Sequence, residues 1–117
     1  MIAVRESSEA VVVELEGEFA ERGADEFSRV IGSLIDKNQV CVVLNLKRAR
    51  WTSLRALKWL VGCLKRIRQQ NGDLKLASPN PYLTSLLELT GTLYLFDVYP
   101  SVEDALESFR LVSSAAK

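Results

Sequence analysis

CVVLNLKRARWTSLRALKWLVGCLKRIRQQ, from Cys41 to Gln70, contains the change of period that decides the fold. Val40–Leu46 is apolar at almost every position, as in a strand covered on both faces. From Leu57 the apolar residues fall at Leu57, Leu60, Val61, Leu64 and Ile67, which is one stripe of a helix. The opposite face carries Arg55, Trp59, Gly62 and Arg66. Between strand and helix, Lys47–Trp51 reads as a basic loop. Thr52 and Ser53 both suit the cap that opens the helix, because a short hydroxyl accepts a first-turn backbone N–H. Asn71-Gly72 supplies a left-handed stop.

Outward from this unit, strands and helices alternate. Ile2–Val4 reads as a short first strand, with Ser7-Ser8 as a turn. Ala10–Glu16 is β-branched and then alternating, so it is a strand, broken at Gly17. A helix over Ala24–Asp36 turns Phe27, Val30, Ile31, Leu34 and Ile35 to one side and ends at Asn38. Leu74–Ala77 is a strand. Asn80-Pro81 opens a helix with Leu83, Leu86, Leu87 and Leu89 as its apolar residues, and Gly91 stops it. Leu95–Val98 reads as a last strand, and Ser101 with Asp104 as the cap of a final helix. The alternation predicts an α/β sheet, parallel where the crossovers are long. The 117 residues suit one domain over 1–117 with its core at about 10–110.

Charge is balanced overall, with 15 basic and 15 acidic residues, so no global field draws the chain to nucleic acid or to a membrane surface. The distribution is uneven. No acidic residue lies between Asp36 and Asp73, while Lys37, Lys47, Arg48, Arg50, Arg55, Lys58, Lys65, Arg66 and Arg68 do. Enzymatic constellations are missing: there is no His, and no glycine-rich phosphate loop. Glu14, Glu16, Glu18 and Glu21 read as solvent-facing, not as a paired acid and base. The expectation is a non-enzyme with no cofactor and no metal. Cys41 and Cys63 sit in apolar patterns and read as buried, reduced thiols. With no signal peptide and no apolar run long enough to span a bilayer, the expected compartment is the cytoplasm.

Five segments, in this order and spacing, resemble the STAS domain of anti-sigma factor antagonists and sulfate-transporter tails. They are VVVELEGEF at Val11–Phe19, VVLNL at Val42–Leu46, NGDLKLASP at Asn71–Pro79, LLELTG at Leu86–Gly91 and LFDVYPSVEDAL at Leu95–Leu106. The resemblance implies a small mixed β-sheet with four helices packed mainly on one face. It implies protein binding through the loop and helix after the central strand. In anti-sigma antagonists that junction carries Asp-Ser-Ser/Thr-Gly-Leu-Gly, and a partner kinase phosphorylates the second hydroxyl residue to end binding. Here those positions are Ser53, Leu54, Arg55, Ala56, Leu57 and Lys58, of which only Leu57 matches. A fixed cation stands where a phosphate would add about −1.5 to −2 charges.

The partner-binding residues expected from this resemblance are Arg50, Thr52, Ser53, Leu54, Arg55, Lys58 and Trp59. Thr52 and Ser53 have two readings that are compatible, a helix cap and a displaced phosphosite. The basic cluster reads as an acidic-partner surface or as a solvated face. Trp59 reads as an interface anchor, or as a residue that covers the sheet edge or packs under a neighbouring helix, and Trp51 as a structural residue. The partner implied is an anti-sigma factor of the serine kinase type, which the chain would sequester to free a sigma factor. The alternative is an accessory subunit of a membrane transport ATPase complex. Self-association through Trp59 and Gly62 is a third reading.

Overall fold

The structure, a computed structural model, describes residues 2–19, 21–51 and 54–115, with side chains outside 19–22, 51–54 and 111–117. The elements run β1 (Ile2–Glu6), β2 (Val11–Phe19), α1 (Glu21–Asp36), β3 (Cys41–Trp51), α2 (Leu54–Gln69), β4 (Asp73–Ala77), α3 (Pro81–Leu89), a short 3-10 turn (Leu93–Leu95), β5 (Val98–Tyr99) and α4 (Val102–Ala115). Five strands form one sheet in the order β1-β2-β3-β4-β5. The first pair is an antiparallel hairpin and the other three pairs are parallel.

This order dictates where the helices go. A crossover between parallel strands is right-handed in nearly all proteins. When every crossover steps to the next strand in the same direction, each connecting helix falls on the same face. Accordingly α1, α2 and α3 share the larger core with Val11, Val13, Leu15, Val42, Leu44, Leu46, Leu74 and Leu76. Helix α4 follows the last strand and connects to none. It covers the other face, where Val102, Ala105 and Phe109 pack on Ala10, Val12, Val43 and Ala77. Strand alternation supplies both faces, since neighbouring residues of β2 and β3 point opposite ways.

Three helices end alike. Asn38 (φ 58°), Asn71 (φ 64°) and Gly91 (φ 69°) take the left-handed position. In each case the next residue's N–H reaches back to an orphan carbonyl: Gln39 to Leu34, Gly72 to Ile67, Thr92 to Leu87. The stop after α2 is therefore Asn71 and not Gly72. Gly72 is needed for space, because a Cβ there would lie 2.1 Å from the Val40 carbonyl oxygen.

Several sequence-based expectations are corrected. Gly17 does not break β2, which runs on to Phe19. A bulge between Glu14 and Glu16 and a positive φ of 88° at Gly17 let it pair with the extended β3. The expected strand over Leu95–Val98 divides into the 3-10 turn and a β5 of two residues. Leu89 is 83% exposed and not part of an apolar face. Cys41 is exposed, whereas Cys63 is buried. The cap of α4 is as read: Ser101 Oγ accepts from the Asp104 N–H at 3.1 Å.

Candidate partner-binding site

The basic loop expected over Lys47–Trp51 is strand. Register with β2 continues through Glu16–Arg48, Gly17–Ala49, Glu18–Arg50 and Phe19–Trp51. Leu46 therefore does not lead straight into the helix; five more strand residues follow it. The physical reason is pairing. Basic residues have no strand pattern of their own, but β2 offers a full ladder and carboxylates at Glu16 and Glu18 beside Arg48 and Arg50. Ala49 is buried in the larger core, so alternation turns Arg50 away from that face.

The end of β3 is held from a distance. Asn80 Nδ2 donates to the Ala49 carbonyl at 3.0 Å. The same side chain caps α3, its Oδ1 accepting from the Leu83 N–H at 2.8 Å. One amide thus fixes the strand end that precedes α2 to the start of α3.

Helix α2 buries Ala56, Leu57, Leu60, Cys63, Leu64 and Ile67. Burial pushes the Cys63 thiol above its ordinary range, against the opposing charge of Arg66. Arg55 and Lys58 are exposed. Trp59 is half-buried and packs against the larger core, in line with its covering reading. Spacings of three and four place Arg55, Lys58 and Trp59 on one side of α2. Arg50 lies on the strand, turned to the other face, so the expected residues do not form one cluster. Thr52 and Ser53 lie outside the described residues, as do the side chains of Trp51 and Leu54.

Helix α2 carries Arg55, Lys58, Lys65, Arg66 and Arg68 and no acidic residue. Arg66 and Arg68 in its last turn suit the helix dipole, whereas Arg55 in the first turn opposes it. Arg66 also ties the helix to α1, donating to Ser28 Oγ at 3.3 Å. Sequence reasoning missed the shallow hollow between α2 and the end of α3, lined by Leu57, Lys58, Val61, Gly62, Lys65, Thr90 and Thr92. Val61, read as core-facing, packs against the larger core and is half-buried, and it also lines this hollow. Only the topology brings Thr90 and Thr92 against α2.

Among the described residues, no group of three or more His, Cys, Asp or Glu side chains is placed to hold a metal. No helix among them is long and apolar enough to cross a membrane. The α2 surface presents the exposed cations Arg55 and Lys58, a half-buried indole and an apolar hollow.

The chain is similar to BtrV of Bordetella bronchiseptica, a candidate anti-sigma factor antagonist, at 29% identity over 82% of this chain and 83% of that one. It is 27% identical to the anti-sigma F factor antagonist of Paenibacillus polymyxa, over 88% of this chain and 89% of that one. A candidate antagonist from Thermotoga maritima superposes with a TM-score of 0.86 at 23% identity, over 93% and 94% of the two chains. At that identity the likeness speaks to the fold. The model of the STAS domain matches residues 1–105, most of the length, and this chain belongs to the STAS domain family.

Proposed function

We propose that this chain binds an anti-sigma factor through the start of α2 and stays bound when its relatives would be released. The observation that carries this reading is Arg55. It is exposed in the first turn of α2, at the position where the motif of the antagonists has its phosphorylated hydroxyl. A guanidinium cannot accept a phosphoryl group, so addition and removal of negative charge at that position are lost. Its cation instead adds to Lys58 in a helix without carboxylates, which favours an acidic partner surface. Thr52, Ser53, Leu54 and Trp59 complete the proposed contact, and Arg50, turned to the other face of the sheet, lies outside it. Two relatives described as anti-sigma factor antagonists, each aligned over most of its length, support the class of partner.

The test is binding of a purified serine-kinase anti-sigma factor from the same genome, with and without ATP. A complex that survives ATP, and that Arg55→Glu weakens at least about tenfold (~1.4 kcal/mol), is the expected result. Stoichiometric phosphate on Thr52 or Ser53 that releases the partner would overturn the constitutive reading. Affinity capture of a transport ATPase in place of any anti-sigma factor would overturn the choice of partner.

A further inference from the structure

The hollow beside α2 has a volume of about 510 Å³ and opens to solvent. Its floor is Leu57, Val61 and Gly62; its far wall is Thr90 and Thr92, just past the end of α3. Gly62 lies in the middle of a 16-residue helix. A glycine there costs about 1 kcal/mol relative to alanine. Among the described residues nothing explains it, because a Cβ at Gly62 would meet none of their atoms within 4 Å. The fold gains no packing from that missing side chain, so the notch is open to something outside.

The shape of the notch selects its occupant. Leu57, Val61 and Lys65 form one row at spacing four along α2, and Lys58 and Gly62 form the next. Such rows are ridges, and the channel between them accepts the matching ridge of a second helix. Charge selects further. Lys58 and Lys65 stand exposed at the rim, and α2 supplies no carboxylate to neutralise them. Exposed apolar side chains adjoin the far wall in sequence, with Leu89 and Tyr94 each 83% exposed.

We infer that this hollow is the seat of an acidic amphipathic helix of the partner protein. One of its apolar side chains enters the Gly62 notch, and its carboxylates meet Lys58 and Lys65. The inference rests on the partner-binding reading above and names the segment that the partner presents. It also extends the contact along α2 from the Arg55 end toward the C-terminus.

The experiment uses the full chain, labelled with nitrogen-15, and two synthetic amphipathic peptides with Leu at helical spacing. One carries Glu at the remaining positions and the other Lys. The Glu peptide is expected to shift the amides of Leu57, Lys58, Val61, Gly62 and Thr90, and the Lys peptide to leave them unmoved. Gly62→Leu fills the notch and is expected to weaken the Glu peptide at least tenfold. The double variant Lys58→Glu, Lys65→Glu leaves the core untouched and is expected to exchange the preference. Equal binding of both peptides, shifts confined to other surfaces, or unchanged binding by Gly62→Leu would each overturn the inference. If Arg55→Glu weakens the anti-sigma factor while Gly62→Leu does not, the hollow is rejected and the proposed function stands. If the Glu peptide binds as described but no anti-sigma factor does, the proposed function is rejected and the hollow stands.

Discussion

Asn80 and Lys75 each hold parts that are far apart in sequence. The Asn80 amide has two jobs, and alanine would remove both. Loss of a cap costs about 1 kcal/mol, and the Ala49 carbonyl would lose a half-buried partner besides. Asn80→Ala is expected to lower stability by about 1–2 kcal/mol in urea unfolding. Lys75 is 5% exposed, yet its Nζ finds Ser108 Oγ at 2.7 Å and the Phe109 ring at 4.3 Å. A cation over an aromatic face, hydrogen-bonded as well, offsets part of its desolvation. Cys41 and Cys63 differ in reach although burial raises both thiols, Cys41 with Lys75 pulling the other way. Iodoacetamide at pH 8 is expected to alkylate Cys41 first and Cys63 only as the fold opens. Peptide mass mapping against time checks this, and both rates should fall below that of a free thiol. The cap at Asn80-Pro81 was legible in the sequence, because Asn before Pro is a local signal. Its bond to Ala49 was not, since it spans 31 residues. Cys41 was misplaced for the opposite reason: its apolar neighbours are buried, but it sits at the first position of β3.

At the scale of elements, the two glycines of the α2 region separate space from flexibility. Gly72→Ala would drive a methyl into the Val40 backbone and is expected to cost more than about 2 kcal/mol, by overpacking against groups that cannot move aside. Gly62→Ala meets open space and should stabilise the fold by up to about 1 kcal/mol. Thermal unfolding of both, with opposite signs, is the check. The helices were legible because each keeps its apolar residues on one side over several turns. Lys47 to Trp51 were not, because charged residues enter a strand only when a neighbour's ladder takes them in. The bulge that aligns β2 with this extension puts its extra residue in β3, between Asn45 and Arg48, and has no sequence signature there.

For the molecule as a whole, the monotonic strand order leaves α4 alone on its face. That layer is thinner than the other and depends on few side chains. Phe109, 8% exposed, fills it and also faces Lys75. Phe109→Ala is expected to cost about 3–5 kcal/mol by cavity formation. It should also speed hydrogen exchange in β4 more than in β2. The resemblance of five ordered segments made the sheet and its helices foreseeable as a set. The division of helices between the two faces follows from handedness once the strand order is known.

The turn after α2 has one more consequence, for how the protein ages. Asn followed by Gly is the pair most prone to lose its side-chain amide, because the glycine nitrogen can attack the asparagine carbonyl and close a succinimide ring. Here that nitrogen donates to the Ile67 carbonyl at 3.1 Å, and Asn71 is held in a left-handed turn. The attacking group is engaged while the fold lasts, so conversion of Asn71 to aspartate or isoaspartate in a stored sample would be a clock of how often this turn comes undone.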